Sequence, residues 1–75
     1  MKKRAAPGRA APYGVPGLRR FAGIEVRVCL EDGTAWTGRL RTDLLTERSL
    51  SVYITGHGGE GATLYIDQIV DVVPV

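Results

Sequence analysis

The sequence predicts a small all-β domain: five short strands bent strongly into a barrel, behind a short helix and a basic N-terminal tail. Three observations carry this. Apolar and polar residues alternate with period two in short runs from Ile24 onward, the pattern of half-buried strands. Turn-forming groups such as Glu31-Asp32-Gly33 separate the runs. A glycine, Gly38, interrupts the second run, where it weakens a flat strand but permits a sharp bend.

Residues 1–15 form a tail rich in Ala, Pro, Gly and basic residues, without hydrophobic period. The composition predicts a flexible segment. The barrel domain is assigned to residues 16–75. Pro16 to Gly23 predicts one or two helical turns. Proline suits a first turn, where its missing N–H is not needed, and Gly23 suits the stop. Leu18 and Phe21, three apart, would share one buried face.

The first strand reads Ile24 to Leu30, with Ile24, Val26, Val28 and Leu30 inward. A three-residue loop with Gly33 in the left-handed region sets Val28 opposite Trp36, Val26 opposite Gly38 and Ile24 opposite Leu40. A two-residue loop would break the shared apolar face. The longer loop also sets Glu25 opposite Arg39, a favourable cross-strand pair. Trp36 is expected in the core or at its rim. After a connection over Asp43 to Arg48, Leu50, Val52 and Ile54 define a third strand. Thr55 to Gly61 is a glycine-rich loop. Leu64 and Ile66 define a fourth strand running to Asp67, and Ile69 to Val73 a fifth, ended by Pro74.

A packed region of 55 residues is marginal alone and calls for a staple. One cysteine, Cys29, excludes an intramolecular disulfide, and one Cys with one His cannot build a structural zinc site. Oligomerisation remains, and unpaired strand edges invite it. A homo-oligomeric ring of five to eight subunits is expected, joined through the last two strands. Tyr65, Ile66, Val70 and Val72 are the candidate interface residues. No apolar run is long enough to span a membrane, and no signal-peptide apolar region follows Lys2, Lys3 and Arg4. A cytoplasmic protein with reduced Cys29 is expected.

The charge is divided. Residues 1–20 carry Lys2, Lys3, Arg4, Arg9, Arg19 and Arg20 and no acid, giving +6. Residues 21–75 carry four arginines against eight acids, giving 4 − 8 = −4. A basic arm on an acidic body points to contact with phosphate. Those six basic residues, with Tyr53 as an outward aromatic able to stack a base, are the candidate nucleic-acid-binding residues. Tyr13 could anchor the arm to RNA or to a protein surface.

Catalysis finds no support, so no enzyme, cofactor, metal or small-molecule substrate is expected. Gly56 to Gly61 matches G-x-G-x-x-G, but a dinucleotide fingerprint must open a helix in a βαβ unit. Here a strand follows, so the motif reads as a hairpin loop. His57 reads as an exposed loop histidine without the fixed partner a general base needs. Cys29 reads as a half-buried packing residue. Arg27, Arg39 and Arg41 share the outer face of the first hairpin.

The run Leu30 to Leu40, with Asp32-Gly33 and then Gly38, resembles the Sm-like family, most closely its bacterial Hfq-type branch. Tyr65-Ile66-Asp67-Gln68-Ile69-Val70-Asp71-Val72-Val73-Pro74 is similar to that branch's Tyr-Lys-His-x-Ile-x-x-Val-Val-Pro. The resemblance spans residues 18–74. It implies an Sm-like (SH3-like) five-stranded barrel, a ring, and RNA as the ligand. The chain departs from the pattern at the RNA pocket, where Ile66 and Asp67 stand for Lys-His. Of the Asp-x-x-x-Asn seen in other branches, only Asp43 is recognisable. The reading is thus a non-enzymatic ring protein that binds RNA through its arm. The alternative is a structural or adapter ring in a larger assembly, without RNA specificity.

Overall fold

In the computed structural model, which describes residues 13–75, the first hairpin forms as its turn chemistry dictates. β1 (Glu25–Leu30) and β2 (Ala35–Leu40) pair antiparallel, with Glu25 opposite Arg39, Val26 opposite Gly38 and Val28 opposite Trp36. Gly33 sits at φ +91°, a region that L side chains avoid. The Leu30 N–H donates to the Thr34 carbonyl and the Gly33 N–H to the Leu30 carbonyl, closing the three-residue loop. The Asp32 carboxylate caps it, accepting the Thr34 N–H at 2.9 Å and the Thr34 hydroxyl at 2.6 Å.

β3 (Ser51–Thr55), β4 (Gly61–Tyr65) and β5 (Ile69–Pro74) complete one antiparallel sheet in the order β4-β3-β2-β1-β5. β4 and β5 are therefore its end strands. Helix α1 (Val15–Arg19) buries Val15 and Leu18. Phe21, expected to share their face, is only partly buried. Gly23, at φ +77°, ends the turn that follows the helix.

The inward residues of all five strands join Val15, Leu18 and Leu45 in a single core cluster. A helix of five residues is too small to cover a flat five-stranded sheet. Burial of Leu64 on one end strand and of Ile69 and Val72 on the other requires the sheet to bend over its own inner face. Gly38 is where it bends. β2 pairs with β3 only at Arg39–Thr55 and Leu40–Ile54, with the Arg41 N–H continuing to the Tyr53 carbonyl. A side chain at Gly38 would run into the Thr55 carbonyl group and the Gly56 Cα.

Several expectations are corrected. Leu50 is not an inward strand residue: β3 starts at Ser51, and Leu50 is 80% exposed. β4 stops at Tyr65, and Ile66–Gln68 turns as a short 3-10 helix instead of extending the strand. Ile24 precedes the β1 ladder and is exposed, whereas Trp36 lies at the rim, one of the two places expected of it, 39% exposed. The Asp43–Arg48 connection carries structure of its own. It contains a 3-10 turn at Thr42–Leu44 and inserts Leu45 into the core.

Tyr13 serves the fold itself. Its hydroxyl accepts the Val72 N–H at 3.1 Å and donates to Asp71 at 3.4 Å, and its ring meets Phe21 edge-on. No helix among the described residues is long and apolar enough to cross a membrane.

Candidate functional site

The pairing register assembles the outer face of the sheet. Glu25, Arg39, Thr55 and Gly61 form one cross-strand row, and Val73, Arg27 and Thr37 another. Arg41 and Tyr53 lie side by side, with Thr63 beyond Tyr53. Three arginines and a tyrosine thus share one surface. Arg41 is engaged by Asp43 through two hydrogen bonds, at 3.2 and 3.1 Å. That side-chain contact holds the Asp43 carboxyl below the usual carboxylate range and raises the guanidinium's own value. Among the described residues, neither Arg27 nor Arg39 makes an ion pair.

Tyr53 is 41% exposed. Its ring lies over the bare backbone of Gly61, in the space a Cβ there would need. An aromatic covering a strand glycine in this way supports the sheet, and the opposite ring face is left for contact. Arg41, whose main-chain N–H donates to the Tyr53 carbonyl, is its basic neighbour on the sheet.

The other candidate residues are scattered. Arg19 donates to the Leu45 carbonyl at 3.0 Å, tying α1 to the loop before β3. Arg20 lines a cavity of about 410 Å3 with Tyr13, Gly14, Pro16, Gly17 and Phe21. Lys2, Lys3, Arg4 and Arg9 lie outside the described residues. Of the interface candidates, Tyr65 and Val70 are exposed, at 56% and 47%. Ile66 and Val72 point into the core of the same chain. Leu50, Val73 and Val75 are exposed apolar residues near the two sheet ends, and parity alone could not single them out.

A cavity of about 270 Å3 lies between the start of β3 and the end of β4, lined by Ser49, Leu50, Tyr65, Ile66 and Asp67. Among the described residues its lining offers the Asp67 carboxylate and apolar surface, and no cation.

The arrangement that sequence reasoning missed is at the opposite end of β4. The Gly56 N–H donates to the Glu60 carbonyl, and Gly59 turns the chain at φ +86°, so the glycine-rich segment is a hairpin loop. His57 extends from it to the Glu25 carboxylate, 32 positions away in sequence. The expected Glu25–Arg39 ion pair does not form, although the two residues are opposite each other. Glu25, Gly38, Arg39, Thr55, Gly56 and His57 enclose a cavity of about 260 Å3. Nothing in the sequence signals this contact, because it depends on how far the Gly38 bend carries the end of β3 toward β1. Among the described residues, no three His, Cys, Asp or Glu side chains converge to hold a metal ion.

Comparison with protein-family models, curated proteins and solved structures finds no match to this chain.

Proposed function

We propose that this chain is a non-enzymatic, ring-forming Sm-like protein that binds single-stranded RNA, with the basic N-terminal arm supplying most of the affinity. The observation that carries the ring is the strand order. β4 and β5 are the two end strands, and exposed apolar residues accompany each: Leu50 and Tyr65 by β4, Val70 and Val73 by β5. Opposite edges that complement each other associate head to tail, and such contacts close into rings when the rotation permits. The division of charge, +6 over residues 1–20 and −4 over the rest, supports phosphate contact through the arm. The bent five-stranded sheet with its Gly38 kink supports a small barrel of the Sm-like kind. Ile66 and Val72 enter such an interface only through their main chain, their side chains being occupied in the core.

The acid excess of the body and the Asp67-lined cavity favour a second reading, an adapter ring without RNA specificity. Salt dependence separates the two. If all six basic residues of the arm neutralise phosphates, the log–log slope of affinity against salt is roughly −4, at about 0.7 per contact. Removing residues 1–12 deletes Lys2, Lys3, Arg4 and Arg9 and leaves Tyr13 on the sheet. The slope should fall to roughly −1.4, while light scattering shows an unchanged multi-subunit mass with or without nuclease. A monomer at micromolar concentration refutes the ring. Unchanged affinity after truncation moves the RNA site onto the sheet, and no binding at low salt supports the adapter.

A further inference from the structure

The cavity beside Gly38 brings together a carboxylate, a guanidinium, a hydroxyl and an imidazole, from Glu25, Arg39, Thr55 and His57, with Gly38 and Gly56 completing its lining. We infer that it receives a guanine base of single-stranded RNA. This inference rests on the RNA-binding reading and adds to it a base-selective element outside the arm.

The choice of guanine follows from the chemistry of the lining. An ionised carboxylate only accepts hydrogen bonds. Of the four RNA bases, only guanine presents two N–H donors side by side on its Watson–Crick edge, at N1 and N2. Adenine and cytosine place a ring acceptor beside their amino group, and uracil's single N–H is flanked by two carbonyls. Glu25 can therefore take guanine in a two-point contact and is repelled by part of every other base. Arg39, directly across the strands from Glu25, is a pure donor without an ion pair among the described residues. Guanine's O6 lies next to N1–H, so the edge that engages Glu25 also offers Arg39 an acceptor, the group arginine most often reads on guanine.

The size and setting of the cavity identify a tethered base rather than a free metabolite. Its volume of about 260 Å3 is below the roughly 300–1,000 Å3 typical of pockets that retain free ligands. The His57 side chain on its rim is 77% exposed. Such a site gains occupancy when the rest of the ligand is held elsewhere, which raises the effective concentration of the base. Arg27 lies on the same outer face as Arg39 and is available to the adjoining phosphate. His57 engages the Glu25 carboxylate. Its position in the loop with Gly56, Gly58 and Gly59 lets it release the carboxylate and stack on the base, as imidazoles do in single-stranded RNA recognition.

His57 is the only histidine, so its ring protons give resolved NMR signals that report directly on the site. The experiment uses the full chain with the heptamers U7, UUUGUUU, UUUAUUU and UUUIUUU, where I is inosine, which lacks the N2 amino group. UUUGUUU should bind roughly 10- to 100-fold more tightly than U7 or UUUAUUU, the range expected of one good two-point base contact. Inosine should fall between, and only the guanine and inosine oligomers should shift the His57 signals. Glu25→Gln should erase the guanine preference, so that UUUGUUU and U7 bind equally to the variant. The comparison of oligomers on the unaltered chain stands even if that variant fails to fold. Equal, measurable affinity for all four overturns the guanine site and leaves the RNA reading in place. No binding of any oligomer at low salt overturns both.

Discussion

Gly38→Ala separates a bend glycine from an ordinary strand glycine by the sign of its effect. In a regular strand, replacing glycine by alanine stabilises by about 0.5–1 kcal/mol, because the unfolded chain loses conformational freedom. At Gly38 the added Cβ meets the Thr55 carbonyl oxygen at well under contact distance. The Thr55 carbonyl carbon is then 2.8 Å away and the Gly56 Cα 3.1 Å. These are backbone atoms, which cannot rotate aside. Relief requires moving the end of β3 away from β2, and β2–β3 pairing spans only two residues on each strand. The expected net loss is about 2 kcal/mol, within the overpacking range. It corresponds to a fall in Tm of roughly 8–16 °C for a domain of this size. Because the obstruction begins at Cβ, Gly38→Val should be little worse than Gly38→Ala. Val26, the cross-strand partner of Gly38, is not the obstacle, so adding Val26→Ala should give no rescue. Circular-dichroism melts of the three variants at one fixed protein concentration test this, the fixed concentration removing any contribution from association. An unchanged or higher Tm for Gly38→Ala, or recovery in the double variant, would refute the reasoning.

Two further outcomes follow from burial and charge. Val28→Asp places an unpaired charge at a fully buried site and should abolish the cooperative melt. Leu50→Asp, at a site 80% exposed within the subunit, should keep a cooperative melt while lowering the multi-subunit mass in light scattering, and urea titration distinguishes the two variants. Asp32 is held below the usual carboxylate range, first by the Thr34 hydroxyl and then by the Thr34 N–H. A depressed folded value means that its contribution is complete above the ordinary carboxylate range and is lost as pH falls through the folded value. Thr34→Val should raise the Asp32 midpoint in an NMR titration and weaken the acid dependence of stability; an unmoved midpoint would show that the hydroxyl contact is absent in solution.

Where local chemistry decides the conformation, the sequence was legible. Gly33 fixes the loop length, the loop length fixes the register, and the register places Glu25 opposite Arg39 and Val28 opposite Trp36 as expected. Gly23 takes the left-handed conformation expected of it, although the helix itself ends earlier, at Arg19. The candidate site was far less legible. Register positions backbones, whereas long side chains choose partners by reach, and His57 takes the carboxylate that stands opposite Arg39. Tyr13 gave the opposite error. Its arginine-rich surroundings suggested a ligand contact, but its hydroxyl supplies the Val72 N–H with an acceptor, a role that depends on a residue 59 positions away.

The errors about burial share one cause. Ile24 and Leu50, expected inward, are exposed, and Trp36, expected in the core or at its rim, lies at the rim. Ile24 and Leu50 immediately precede the first ladder residues of β1 and β3. Trp36 is paired with β1, but β3 joins β2 only from Arg39 onward. Parity determines which way a side chain points. Burial further requires other residues packed over the side chain, and the three positions lie where strand pairing has not begun or is one-sided. Ile66 and Val72 show the converse. Both were expected at the sheet edge, yet Ile66 is carried inward by the 3-10 turn after β4, and Val72, on an end strand, faces the bent sheet's interior. In a sheet that bends this sharply, an end strand has one side without a partner but an inner face that is fully enclosed. Interface residues must therefore be sought among the outward and terminal positions, Tyr65, Val70, Val73 and Leu50, rather than among all apolar residues of β4 and β5.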